Sequence, residues 1–454
     1  MSNRIKNFTF FICVFLFVFG YRVTGENTEG WKAGAAKVSI TPEKPMWMAG
    51  YGFRDHPSEG TRQDLWAKAL ALETANSERA VLVTSDLAGI PKGVADVIFD
   101  RLEKEYGLSR SQVILNCSHT HSGPVLGNGL SDIYPMDSVE WAKVKQYTQR
   151  YENLVVKLVG KALHSLKPAM LYSANGITRF QVNRRNNNEK TLTPQTELNG
   201  PNDYAVPVLK VTNRKGKLLA VAFGYACHGT VLSTYLWDSD YPGYAQAHLE
   251  KQHPGTVALF FQGAAGDQNP LPRRSVALAK QYGSELADAV ECVLEENMQS
   301  LPASIKTVCS KVGLQLENPP SEENLKEMAD TLTGWQQRWA KHMLADIREG
   351  RIIHSYQYPL QIWNLGGQPV VAMGGEPTIE YALRIKQMLG PNTFVLGYSN
   401  DVLAYIPSSE ILKEGGYEGE TSQMAYGMPG KWKPDIETRI CSEIEKLARK
   451  IGLM

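Results

Sequence analysis

Runs of apolar residues, and the spacing of apolar residues between polar ones, divide this chain into alternating strands and helices. Trp31 to Pro42 reads as a strand closed by a Thr-Pro turn. Ala49 to Phe53 is a glycine-rich loop, and Asp64 to Glu73 and Ala80 to Leu87 are two further strands, the second ending in Ser85 and Asp86. Val94, Ile98, Leu102 and Tyr106 recur at helical spacing, and the apolar run Val113 to Leu115 follows. This is a β-α-β unit with polar residues at the carboxyl ends of its strands, where α/β proteins place reactive groups. Trp141 to Leu166 reads as a long helix. Leu171 to Asn183, Val206 to Thr212, Leu218 to His228 and Thr256 to Gly263 read as strands, Ser275 to Glu296 as a helix and Ile305 to Leu316 as a strand. Ser321 to Gly350 is a helical insertion expected to pack on the surface, with Ser321 as N-cap and Glu322 and Glu323 in the dipole-favoured first turn. A hairpin turns at Gly366-Gly367 between Tyr356 to Ile362 and Val370 to Met373. The helix Thr378 to Leu389 and the strand Phe394 to Gly397 are expected to finish the regular structure. With no internal repeat or low-complexity linker, the expected fold is α/β: mixed central β-sheets flanked by helices, in a single large domain over residues 30–454.

Composition adds a compartment and removes some partners. At 454 residues, 43% apolar and 21% charged, the chain has material for a real core. A formal charge of +1, with no basic patch interleaved with aromatics, gives no support for nucleic-acid binding. Arg4 and Lys6 precede the apolar run Phe8 to Phe19, and small residues follow at Thr24 and Gly25, the layout of a signal peptide over residues 1–25. An uncleaved membrane anchor is the alternative. Cleavage near Gly25 leaves 45 basic and 47 acidic side chains, a formal charge of −2. The expectation is export, to the periplasm or as a secreted protein, with no transmembrane span after cleavage. Five cysteines remain, at irregular spacing without a C-x-x-C, so neither a zinc finger nor a disulfide framework is indicated.

The chemistry gathers at strand exits. Asn116 to Pro124 carries His119 and His121, two residues apart. On a strand such residues share a face, and imidazole is both a zinc ligand and a proton carrier. Two polar loop histidines is the other reading. His228-Gly229 follows the apolar run Leu218 to Cys227, where a lone histidine is more often a satisfied core residue. Glu376 follows Val370 to Gly375 and could equally cap the next helix. Two histidines, one glutamate and one further oxygen donor make a zinc site with room for water.

Taken together, from Gly34 to about Gly427, these stretches resemble the catalytic domain of the neutral/alkaline (non-lysosomal) ceramidases and their bacterial homologues. The matching stretches are His119 with Thr120 to Pro124, Asn183-Arg184, Ala226 to Thr230, Ser239 to Ala245 and Gly266-Asp267-x-x-Pro270. Gly375-Glu376-x-Thr378, Ser399-Asn400, and Tyr405 ahead of Tyr417-Glu418-Gly419 complete them. The resemblance implies a catalytic zinc held by His119, His228, Glu376 and Tyr405. It also implies that His121 and Tyr417 face the scissile carbonyl, with Arg184 and Asp267 lining the site.

The chain departs from the ceramidase pattern in three places. Asn269 stands where a serine precedes the proline, and an amide is a poor nucleophile. The stretch Arg185 to Asn188 differs after Arg184, and no counterpart of the C-terminal β-sandwich domain is expected. The implied activity is hydrolysis of an amide or ester bond by metal-activated water. Asp267 or a nearby carboxylate takes the proton, His121 and Tyr417 stabilise the oxyanion, and Arg184 and Asn269 meet the substrate. The substrate class is a small acylated molecule, lipid or sugar. The competing expectation is a non-catalytic metal- or ligand-binding protein that kept the fold.

Overall fold

In the strands Trp66–Glu73, Arg79–Ser85 and Val113–Cys117 nearly every residue is buried, and alternate side chains enter two different cores. Ala67, Ala69, Ala71, Val81, Val83, Val113 and Leu115 face one core, while Leu70, Leu72, Leu82 and Ile114 face the other. A sheet covered on both faces needs this continuous apolar pattern. The computed structural model describes residues 30–193 and 195–454, so the signal peptide expected over 1–25 lies outside the described residues.

The larger sheet has nine strands. Its path runs Val257–Gln262, Leu218–Tyr225, Ala205–Asn213, Lys167–Ile177, Trp31–Ser39, Trp66–Glu73, Arg79–Ser85, Val113–Cys117, with Gln299–Leu301 paired to Lys167–Ile177. The first and last pairs on this path are parallel and the others antiparallel. The helices Lys92–Tyr106 and Ser138–His164 cover one half of its outer face, and Asp240–Gln252 and Val276–Glu295 cover the other. Its inner face packs on a four-stranded sheet formed by Ile305–Gln315, Ser355–Leu365, Gln368–Met373 and Phe394–Leu396. The helices Ile379–Leu389 and Ile436–Lys450 close the far side. The molecule is therefore layered helix, sheet, sheet, helix, as expected of a mixed α/β fold.

The two edges of the large sheet curl toward each other. Asn116, on one edge, accepts at Oδ1 from the Gln262 amide on the other (2.9 Å) and donates to the Gly397 carbonyl (2.8 Å). A bridge between Thr120 and Gly229 then ties the two histidine-bearing loops together. A Cβ on Gly229 would lie 3.0 Å from the His119 carbonyl oxygen, so the close approach requires glycine.

Three details differ from the sequence expectation. Regular structure does not finish at Gly397: Ile436–Lys450 is a helix, its Ile436, Ile440, Ile444 and Leu447 buried at helical spacing. The segment read as one strand to Asn183 breaks after Ile177 and resumes at Gln181–Asn183. The insertion is a helix pair, Glu322–Thr331 and Gly334–Glu349, capped as expected by Ser321, which accepts from the Asn324 amide (3.2 Å). It is not confined to the surface, because Trp335 reaches the main cleft. Among the described residues no helix is long and apolar enough to cross a membrane, and all five cysteines are unpaired.

Candidate metal centre

The strand Val113–Cys117 ends two residues before His119, and His119 takes a left-handed backbone conformation (φ 56°). The two histidines therefore do not converge by strand alternation. The left-handed turn redirects the chain, costing about 1–2 kcal/mol for a residue with a Cβ, and brings His121 Nε2 to 3.0 Å from His119 Nε2. Gly50 makes room for the second ring, since a Cβ there would fall 2.4 Å from the His121 imidazole.

His228 arrives from the opposite edge of the sheet. The ligand nitrogens of His119, His121 and His228 lie within 4.8 Å of one another. Glu376, 2% exposed, places Oε2 3.3 Å from His119 Nε2 and 3.2 Å from His228 Nε2. The Tyr405 hydroxyl is 3.4 Å from His228 Nε2. Five residues spread over the sequence thus meet at one point.

Hydrogen bonds behind the cluster fix which atoms face inward. His119 Nδ1 donates to the Ala88 carbonyl, and His228 Nδ1 to the carbonyls of Ala265 (2.7 Å) and Gln268 (3.1 Å). A carbonyl only accepts, so both protons belong on Nδ1 and the neutral rings turn bare Nε2 lone pairs toward Glu376. Burial, with Arg184 and His119 adding to it, lowers His228 to about 4, so it is neutral at pH 7. Burial works to raise Glu376, and its carboxyl is held well below the usual range only against positively charged His119 and His228 rings; with the rings neutral, that stabilising charge has to come from elsewhere. Lone pairs facing a carboxylate inside a buried pocket repel unless a cation lies among them. The donor set, imidazole nitrogens with carboxylate and phenol oxygens, suits zinc or a similar divalent ion.

Around this centre the chain supplies groups that the sequence did not single out. Tyr398 donates to Glu376 Oε2 (3.2 Å) and Tyr426 to Oε1. Burial and the neighbouring carboxylate push both phenols well above their usual pKa, which keeps them protonated as donors. Arg184 donates to Glu418 (2.7 Å), to the Tyr405 hydroxyl (3.1 Å) and to Asn269 Oδ1 (3.4 Å). Glu418 lies inside a motif quoted from the sequence and Tyr398 directly before one, but neither their spacing nor their type marks them as supports. Tyr426 reads from sequence only as part of an aromatic tail.

Asp267 has a different place from the one expected. Its two oxygens accept from the Ile379 amide (2.9 Å) and from Asn183 Nδ2 (2.8 Å), inside the fold. It holds the start of the helix after Glu376 and the residue before Arg184, and does not line the cleft. Tyr417 stands at the mouth, 49% exposed, its ring 5.3 Å from that of Tyr405. An apolar cleft of about 260 Å³ opens on the cluster, lined by Leu126, Leu130, Ile133 and Trp335 among others.

A family model described as neutral/alkaline non-lysosomal ceramidase, N-terminal, matches residues 31–289. The neutral ceramidase of Pseudomonas aeruginosa is 28% identical over 255 residues, covering 53% of this chain and 37% of that relative. The aligned region thus spans little more than a third of the relative's length. A crystal structure of the Pseudomonas aeruginosa neutral ceramidase shares the fold, with a TM-score of 0.72 at 20% identity over 93% of this chain and 74% of that one. A ceramidase complexed with C2 gives 0.71 at 18% identity, over 93% and 75%. With the family match spanning more than half of its residues, the chain belongs to the neutral/alkaline non-lysosomal ceramidase family.

Proposed function

We propose that this protein is a metal-dependent hydrolase of an acyl amide or ester, with a zinc ion held by His119, His228, Glu376 and Tyr405. The observation that carries the reading is the pair of inward Nε2 lone pairs aimed at a buried carboxylate, at the foot of an apolar cleft. When bound, the ion supplies Lewis acidity toward water and toward an acyl carbonyl.

The remaining work falls to side chains. The Ala88, Ala265 and Gln268 carbonyls fix the imidazole tautomers, and Tyr398 and Tyr426 hold the carboxylate. Arg184, anchored on Glu418, orients Tyr405. The apolar cleft takes the acyl chain and excludes water around the carbonyl. His121 takes the proton of the attacking water and passes it to the leaving group, and burial keeps its pKa well below the usual value so that it starts neutral. The Tyr417 hydroxyl donates to the carbonyl oxygen as negative charge grows there. Asp267 acts as a positioning residue between Arg184 and Glu376 rather than as the base. With the leader expected over residues 1–25, the reaction takes place outside the cytoplasm.

A second arrangement is favoured by the proximity of His121 Nε2 to His119 Nε2: His121 becomes a third imidazole ligand. Metal analysis of the purified chain, with p-nitrophenyl esters and N-acyl amides as substrates, tests the function. One equivalent of metal and turnover are expected, both lost in His228→Ala. Full metal content in His228→Ala would overturn the ligand set, and bound metal with no turnover of any acyl compound would leave a binding protein.

A further inference from the structure

We infer that a second cavity, on the polar side of the metal centre, receives the leaving group and is built for a polyhydroxylated one, such as an amino sugar linked through its amide nitrogen. The inference rests on the hydrolase reading above for which half of the substrate lies where. The cavity, of about 660 Å³, is lined by Arg184, Arg185, the asparagines 186–188 and Asn269 among others, and Tyr417 lines both it and the apolar cleft. The two arms therefore meet at Tyr417, beside the metal centre.

The charges in this arm are already spent. Arg184 pairs with Glu418 (2.7 Å), Arg185 with Glu418 (2.8 Å) and Glu414 (2.7 Å), and Arg273 with Glu189 (2.7 Å). No surplus guanidinium is left to hold a carboxylate or phosphate. Amides remain. Asn269, 4% exposed, uses only its Oδ1, and among the described residues its Nδ2 has no hydrogen-bond partner. Asn186 is exposed in the wall. Neutral amide donors and acceptors match hydroxyl groups, whereas an alkyl tail laid along them would strip their water without replacing it.

The wall is also preformed. Asn187 is buried and donates to the carbonyls of Asn183 (2.8 Å) and Asn199 (2.7 Å), while accepting from the Asn199 amide (3.0 Å). This holds the loop that carries Asn186. The Tyr417 ring, at the junction, offers a flat face on which a pyranose ring can stack. The residues that depart from the ceramidase pattern, Arg185 to Asn188 and Asn269, all line this arm, while the metal centre keeps the pattern.

The test compares N-hexanoylglucosamine, N-hexanoylsphingosine and p-nitrophenyl hexanoate, so that only the leaving group varies. Binding of the two amides to the metal-stripped full chain is read by calorimetry, and turnover of all three by the metal-loaded chain. The sugar amide is expected to bind about tenfold more tightly than the sphingoid amide and to lead it in kcat/KM. Asn186→Leu, at an exposed side chain, and Asn269→Ala should each erase most of that preference. Equal binding, or preference for the sphingoid amide, overturns the assignment. If the binding preference holds while none of the three compounds is turned over, the hydrolase reading falls and the polar arm stands.

Discussion

The carbonyls behind His119 and His228 do as much to define this centre as the inward atoms, because they force the bare nitrogens toward Glu376. His121 has no carbonyl behind it: among the described residues its buried Nδ1 has no partner, and its Nε2 faces the bare Nε2 of His119 at 3.0 Å. A ring with no carbonyl locking it from behind suits a proton carrier better than a ligand. His121→Gln is therefore expected to keep its metal while kcat falls about 10²- to 10⁴-fold. Loss of metal, measured by atomic emission, would instead make it the third imidazole ligand. The sequence made these residue types legible but not their reasons. His119 and His121 were expected to converge by alternation on a strand, whereas the left-handed backbone at His119 brings them together. Asp267 was read as a base from its place in a motif. Only the fold reveals that both its oxygens are occupied by the Ile379 amide and Asn183.

Elements decide what the centre can reach. The helix Gly334–Glu349 is fastened to the loop before Ser138 by Arg338, which donates to the carbonyls of Asp132 (2.8 Å) and Ile133 (2.6 Å). That fastening sets Trp335 in the wall of the apolar cleft. Trp335→Ala should raise KM for long acyl esters about tenfold while leaving acetyl esters nearly unchanged, since the indole packs on an alkyl chain that an acetyl group lacks. A uniform change across chain lengths would remove the insertion from substrate binding. Helical periodicity and the Ser321 cap made this element readable, but a sequence gives no direction of packing, hence the expectation of a surface position. The helix Ile436–Lys450 carried the same kind of signal and was missed because the motifs end before it.

The loop after His228 depends on a carboxylate as well. Asp240, at φ 58°, accepts from the amides of Val231 (3.2 Å) and Leu232 (2.8 Å), and burial raises it to about 7. A carboxyl raised in the folded state from its ordinary 3.8 contributes fully below that value and loses the contribution as pH rises through about 7. Asn also tolerates the left-handed conformation and still accepts at one oxygen. Asp240→Asn should therefore gain in Tm relative to wild type between pH 5 and pH 8. A difference in Tm that stays constant over that range would show that Asp240 titrates normally.

At the scale of the whole molecule, the centre exists because the large sheet closes on itself. Val113–Cys117 and Val257–Gln262 are opposite ends of the strand path, yet Asn116 and Gln262, 146 residues apart, are hydrogen-bonded. Strand patterns in a sequence carry no record of which edges meet, so this closure was not legible there. What was legible was its consequence, reactive residues at several strand exits. Asn116 is fully buried and its amide serves three partners, Gln262, Gly397 and the Ser399 hydroxyl. Replacing it with Ala strands the Gln262 N–H away from water, at about 1–3 kcal/mol, and takes one of two donors from the Gly397 carbonyl, which keeps the Ser399 hydroxyl (2.8 Å). His119 lies three residues beyond on the same edge, and His228 follows the strand beside Gln262. Loosening the closure should therefore spread the ligands as well as weaken the fold. Asn116→Ala is expected to lower Tm in the metal-free chain and, separately, to weaken metal affinity about 10- to 100-fold, as loss of an outer support does elsewhere. A variant with lowered Tm but undiminished metal affinity would mean that the ligand loops hold their geometry without the sheet closure, through the Thr120–Gly229 bridge alone.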